Sequence, residues 1–286
     1  RVNADGTDGA ELYSCTFEYG YRTTVRDAAS LAGRSNREGA DRWIRRGNDF
    51  GTFNVVDAGG GDNVVVLDGV GWIGNVTRAG YAVQPFGAVS KNGATVHFAA
   101  DIRPPERFAR DSSCYTYAEV GGDGYAQGIY RPASGDNWRA APRIGFGFAV
   151  GAGKDAVGHY TNVLISVQSR DAAATATTNA AVVVDAAHWY RVRVKAKPAS
   201  AGGKFTVNVY DQGTAKPAAS DADGALVTTF ENLALPSFPE PGMTTLGLAA
   251  AGFAGARGGG LDDPNVAFVD NLSVKTVLGG TMLIVR

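Results

Sequence analysis

An antiparallel β-sandwich is the fold class this sequence predicts, and three observations carry it. Short runs of alternating apolar and polar residues recur along the chain, divided by turns rich in Gly, Pro and Asp. No long helical periodicities alternate with them, which argues against a parallel α/β sheet and its helical crossovers. The clearest runs lie between Asp185 and Asp211 and read as a hairpin with one apolar face.

In that hairpin Trp189, Arg191, Arg193 and Lys195 share one face, and Tyr190, Val192 and Val194 the other. Phe205, Val207 and Val209 then alternate with Thr206, Asn208 and Tyr210. Period-two alternation places every second side chain on the same side of a strand, as in a half-buried sheet. The join, residues 198–203 (PASAGG), is longer than a two-residue turn and suits a looser hairpin.

Along the rest of the chain, residues 1–11 are polar and aperiodic, and residues 13–19 (YSCTFEY) alternate as an expected first strand. Residues 22–48 carry charge and a mild helical pattern at Val25, Ala28, Ala29 and Leu31, later Trp43 and Ile44. They are expected to form an irregular excursion with one short helix. Residues 53–56 and 64–67 flank Asp57-Ala-Gly-Gly-Gly-Asp-Asn63, a strong hairpin signal. Residues 94–103 place Val96, Phe98, Ala100 and Ile102 on one face, and Pro104-Pro105 ends the run because proline cannot donate to a ladder. Further strands are expected at 115–120, 128–130, 143–150, 160–167 and 181–185. Residues 171–179 (DAAATATTN) are small and low in complexity and read as a mobile loop. After the hairpin come strands at 225–230, 244–251, 265–274 and 281–285.

At 286 residues, length alone allows two domains, yet large β-sandwiches reach this size as one. A net charge of −1 offers no long-range field for nucleic acid or an anionic membrane. No apolar run approaches the roughly 18 residues of a membrane helix. The chain begins with Arg1 rather than Met, so a processed N-terminus is expected. Cys15 and Cys114 either close one disulfide or remain buried thiols, and a composition that reads as extracellular favours the disulfide. Such a bridge closes a loop of about a hundred residues and contributes about 3–5 kcal/mol in the chain-entropy model. Asn75-Val-Thr77 and Asn271-Leu-Ser273 match the glycosylation sequon, a triplet that often arises by chance.

Trp189-Tyr190-Arg191-Val192, Phe205-Thr-Val-Asn-Val-Tyr210 and the closing Ala267-Phe-Val-Asp-Asn-Leu-Ser-Val274 resemble the concanavalin A-like (laminin-G/glucanase-type) jelly-roll superfamily. The resemblance implies an all-β, antiparallel jelly-roll β-sandwich. It also implies a structural calcium shared by an acidic residue of the first strand and an Asp of the closing one. The matching positions are Glu18 and Asp270, with backbone carbonyls supplying further oxygens; the alternative is two ordinary strand-end carboxylates. Asp221-Ala-Asp223-Gly224 is a second, weaker metal candidate.

Glycosidases of that superfamily carry two carboxylates close together on one strand, because acid and nucleophile must flank one bond. Glu11, Glu18, Glu38, Glu106, Glu119, Glu231 and Glu240 are too widely spaced for that. A lyase would use a Tyr with a His or Gln near an Arg; His97 lies opposite the apolar stripe of its strand, and a surface histidine is the plainer reading. No zinc spacing, phosphate loop, nucleophile elbow or nucleotide fingerprint is present, and an enzyme is not expected. A glycan surface needs exposed aromatics that stack on sugar faces. Trp138, Trp72, Trp43, Tyr130 and Tyr125 stand in loop-like contexts and are the candidates, each with a core role as the alternative.

The expected organisation is an N-terminal segment at 1–12, a single large sandwich at 13–275 and an extra C-terminal apolar strand at 276–286. Thr281, Met282, Leu283, Ile284 and Val285 are nearly continuous in apolar character, which suits a strand buried on both faces. It either completes its own sheet or adds to a neighbouring copy, and heterologous addition gives filaments. The leading expectation is therefore a secreted, extracellular or cell-surface protein without catalysis that self-associates as a filament or sheath subunit. The alternative is a carbohydrate-binding protein that recognises a polysaccharide. No nucleic-acid partner and no membrane insertion are expected.

Overall fold

The computed structural model describes residues 9–15, 44–46, 51–57, 63–69, 79–89, 94–105, 115–122, 142–150, 153, 156, 162–171, 176–197, 203–238, 243–251 and 267–278. The described elements are all strands: β1 (Gly9–Cys15), β2 (Ile44–Arg46), β3 (Gly51–Asp57), β4 (Asn63–Gly69), β5 (Ala79–Val89), β6 (Ala94–Arg103), β7 (Tyr115–Gly122) and β8 (Arg143–Val150). They continue with β9 (Val163–Arg170), β10 (Ala176–Val184), β11 (Trp189–Ala196), β12 (Gly203–Gly213), β13 (Ala225–Leu235), β14 (Met243–Ala251) and β15 (Ala267–Leu278).

Two antiparallel sheets result. One has eight strands in the order β13-β12-β11-β6-β15-β4-β3, with β1 also alongside β15. The other has seven, in the order β10-β9-β8-β7-β14-β5-β2. The alternating runs explain which faces meet. Val96, Phe98, Ala100 and Ile102 of β6 join Tyr190, Val192, Val194 and Ala196 of β11 in one buried layer. Ile144, Phe146 and Phe148 of β8, with Val163, Ile165 and Val167 of β9, supply the opposing layer. Phe98 and Phe146 meet across the sandwich with ring centroids 5.0 Å apart. Removal of these apolar faces from water is the main driving force for closing the two sheets.

The hairpin of β11 and β12 forms as expected, with Val192 opposite Val209 and Val194 opposite Val207. Tyr190 anchors the chain where it passes from one sheet to the other. Its hydroxyl accepts from the Asp185 N–H at 2.8 Å and donates to the Asp185 carbonyl at 3.1 Å. Burial pushes this phenol up to about 12.

Several boundaries differ from expectation. The first strand starts at Gly9, inside the segment expected to be aperiodic, because β15 extends to Leu278 and offers Val277 and Thr276 as partners for Gly9 and Ala10. For the same reason β15 runs through the expected boundary at residue 275. Residues 176–179 belong to β10 rather than to a mobile loop, with Thr177 and Thr178 opposite Ser169 and Gln168. β-branched threonine suits a pleated strand, and a bulge at Asn179 absorbs the one residue that breaks alternation. β5 was not expected, since Pro85 and its glycines break the pattern, yet it pairs with β14 over most of its length. The expected short helix within 22–48 falls outside the described residues apart from β2. The expected strands at 128–130 and 281–285 lie outside them altogether.

Candidate functional site

The face of the eight-stranded sheet that points away from the core carries three cross-strand rows. Directly opposed residues on neighbouring strands share a face, so register alone assembles them. Arg191, Asp101 and Asp270 form the first row across β11, β6 and β15. Arg193, Ala99 and Ser273 form the second, and Lys195, His97 and Lys275 the third, with Glu11 of β1 beyond Lys275.

A bulge makes the first row possible. Between Asp270 and Ser273, β15 advances three residues while β6 advances two, from Asp101 to Ala99. Asn271 absorbs the extra residue with φ of 49°, the left-handed region that Asn tolerates better than most residues. Leu272 thereby returns to the core at 1% exposure, while the Asn271 side chain reaches Asp101 and the segment above it.

That segment, residues 214–224, connects β12 to β13 and straps across the first row. Arg191 holds it. Its Nε donates to Asp101 Oδ1 at 2.7 Å and its Nη2 to Asp101 Oδ2 at 2.8 Å, a bidentate pair. The same guanidinium donates to the carbonyls of Asp221 and Ala218. Asn271 Nδ2 donates to Asp101 Oδ2 at 2.7 Å and to the Pro217 carbonyl at 3.0 Å. Lys216 Nζ lies 2.7 Å from Asp270 Oδ2. Asp270 is fully enclosed, and burial pushes its carboxyl up to about 7 while Lys216 pulls it down. Arg193 donates from Nε and Nη2 to Asp223 Oδ1 at 2.9 and 2.6 Å. Gly224 ends the strap against Asp211, whose carboxylate contacts His188 Nδ1 at 2.8 Å and accepts from the Gly213 N–H.

Between strap and sheet lies a cavity of about 270 Å³. Ala99, Ala100 and Leu272 contribute to its lining, with Ala219 of the strap. Asp101, Arg191, Arg193, Asn271, Ser273 and Lys275 provide the polar walls. His97 stands beside this region; burial, then Lys195, Arg193 and Lys275, hold its imidazole below the usual histidine range.

The sequence-derived candidates distribute unevenly. Asp270 is in place on β15, but its described neighbour is the ammonium of Lys216, and Glu18 lies outside the described residues. Asp221 and Asp223 serve the strap: Asp221 Oδ2 accepts from the Ala218 N–H at 2.8 Å, and Asp223 pairs with Arg193. Among the described residues no group of three His, Cys, Asp or Glu converges on a metal position. Cys15 ends β1 opposite Leu272, and Cys114 lies outside the described residues. So do Trp43, Trp72, Tyr125, Tyr130, Trp138 and Asn75. Asn271 is no free sequon, because its amide nitrogen is engaged by Asp101 and Pro217. Sequence reasoning missed the strap and its Arg191–Asp101 anchor. The shared face of Arg191, Arg193 and Lys195 was the available signal, a cationic stripe on a strand otherwise committed to the core.

No family model matches this chain, and no curated protein matches it. Among solved structures it is similar to lectin II from Ulex europaeus, at 12% identity over 94% of this chain and 100% of that one, with a TM-score of 0.49. It is similar to the carbohydrate recognition domain of Emp47p, at 10% identity over 95% and 97% of the two chains, with a TM-score of 0.46. It is also similar to an endo-β-1,4-glucuronan lyase from the fungus Trichoderma reesei, at 11% identity over 93% and 95%, with a TM-score of 0.44. All three are jelly rolls of the concanavalin A-like superfamily. The architecture of the present chain rests on its own strand order and register: an all-β sandwich of two antiparallel sheets.

Proposed function

We propose that this chain is a carbohydrate-binding protein and that the cavity beneath the 214–224 strap receives a sugar residue. The cavity's lining is the observation that carries this reading. A sugar ring presents hydroxyls that need converging donors and acceptors, and C–H faces that tolerate small apolar groups. Arg191, Arg193, Lys275 and Asn271 supply donors, Ser273 a hydroxyl and Asp101 a carboxylate, around Ala99 and Ala219. At about 270 Å³ the space falls just under the range of small-molecule sites, about 300–1,000 Å³, and suits one ring better than a long oligosaccharide.

Holding suits this site better than turnover. Asp101 is the one carboxylate among the described lining residues, and Arg191 and Asn271 occupy both its oxygens. Acid–base cleavage of a glycosidic bond ordinarily needs two carboxylates on opposite sides of it. The test is a glycan array probed with the purified chain and with Ser273→Trp, whose indole would fill the cavity. Binding by the chain and its loss in the variant is the expected result; binding unchanged in the variant would move the site elsewhere.

Self-association is the second reading, favoured by one described feature. β13 is the free edge of its sheet, with Leu226 58% and Val227 38% exposed, and it adjoins β10, where Val183 is 62% exposed. Exposed edges of this kind invite pairing with another chain. The terminal residues 281–285, on which the filament expectation rests, lie outside the described residues. Light scattering of the chain and of Leu226→Lys checks the edge directly: a mass that falls to one chain in the variant supports pairing there, and a monomer in both removes it.

A further inference from the structure

Resting on the carbohydrate reading, we infer that the cavity under the strap selects an acidic sugar, with the carboxylate or sulfate of the saccharide seated between Arg193 and Lys275. The lining carries three cations, Arg191, Arg193 and Lys275, against one carboxylate, Asp101. That carboxylate is already matched by the guanidinium of Arg191 in a bidentate pair and is only 1% exposed. Arg193 and Lys275 therefore set the charge that an entering ligand meets, with Lys195 and His97 beside them in the third row. The whole chain carries a net charge of −1, so this cationic cluster is a local feature rather than a reflection of overall charge.

The position of each group suits capture of an anion. Arg193 is half exposed at 49% and can swing, whereas Arg191 at 5% is fixed beneath it. In the absence of ligand Arg193 leans on the Asp223 carboxylate of the strap, using Nε and Nη2 on one oxygen. Asp223 thus occupies the place on the guanidinium that a ligand carboxylate or sulfate would take, and it acts as an internal competitor. Ala99 and Ser273, the small members of the second row, leave room next to Arg193 for that exchange. Arginine and lysine paired with a planar or tetrahedral oxyanion form charge-assisted hydrogen bonds, stronger than those available to a neutral hydroxyl. The depressed imidazole of His97 is consistent with a cationic surrounding.

The test is an array of neutral, uronate-containing and sulfated glycans, read for the chain and four variants, with sodium sulfate as a competitor. Uronate or sulfated glycans should bind about tenfold or more tightly than their neutral counterparts, with the advantage shrinking as salt rises. Whether uronates or sulfated glycans dominate identifies the source of the anion. Arg193→Gln and Lys275→Gln should each erase most of that advantage, and Val183→Ser, far from the cavity, should leave it. Asp223→Asn should tighten acidic glycans by removing the competitor, a gain that misfolding cannot produce. Binding confined to neutral glycans would overturn the acidic selection and leave the carbohydrate reading standing. Binding of no glycan would overturn both, as would competition by sulfate without any glycan signal. Acidic selection that survives both glutamine variants would overturn the assignment to this cavity.

Discussion

Arg191 and Asp101 face each other across β11 and β6 in a two-bonded ion pair at 2.7 and 2.8 Å, with side chains 5% and 1% exposed. Removing one partner of such a pair leaves the other buried and uncompensated, at a cost of about 3–5 kcal/mol. Arg191→Met should therefore lower the urea midpoint by that margin and also release the strap, since the same guanidinium holds Ala218 and Asp221. The double variant Arg191→Met, Asp101→Leu should recover part of the loss. A double variant no more stable than the single one would show that the strap bonds, not the buried charge, dominate.

Two glycines at the ends of the strap should respond differently to alanine. A Cβ on Gly224 would lie 1.9 Å from the Asp211 carbonyl oxygen, so the backbone itself must shift. Gly213 has open space around the added atom but φ of 80°. Gly224→Ala is expected to cost about 2–3 kcal/mol or more through overpacking, and Gly213→Ala about 1 kcal/mol from conformation alone. Thermal melts of the two variants compare them directly.

Stability should fall as pH rises through neutrality, because of His188. The hydrogen bond to Asp211 raises its imidazole above 6.5, with burial opposing and the charges of Asp211 and Asp185 adding to the rise. The folded chain thus holds this proton more tightly than the unfolded one. Its contribution is complete below about pH 6.5 and is lost as pH climbs through the raised value. The effect is modest because the side chains are 30% and 29% exposed. His188→Gln should flatten this part of the stability profile; an unchanged slope would assign it to another group.

Phe98 and Phe146 join the two sheets at the centre of the core. Phe146→Ala should cost about 3–5 kcal/mol. A double-mutant cycle with Phe98→Leu should give a coupling of about 0.5–1.5 kcal/mol beyond the area lost, the range for tilted aromatic pairs. Additivity in that cycle would show that the rings act only through burial.

Sequence reading worked where side-chain period and burial coincide. β6 and β8 were expected at residues 94–103 and 143–150 and occur there, because large apolar residues occupy every second position and breakers bound them. β5 was hidden by Pro85, which an individual strand signature rejects but a paired register accommodates. The cavity was illegible for a different reason: Arg191 and Asp101 are separated by 90 residues, and Asn271 and Asp101 by 170. No local pattern encodes such a meeting. Only Asn271 left a trace, since Ala267, Val269, Leu272 and Val274 alternate with a one-residue slip where the bulge sits.

Strand β15 occupies the interior of its sheet, with β6 on one side and β4 followed by β1 on the other. Until this strand has been synthesised, the earlier partners wait with open hydrogen-bonding edges, and the contacts that complete them are among the most distant in the chain. Folding dominated by such long-range pairing is slow and exposes the nascent chain to aggregation. Ribosome-bound lengths that stop before Ala267 should therefore depend on chaperones, and the eight-stranded sheet should close only after release.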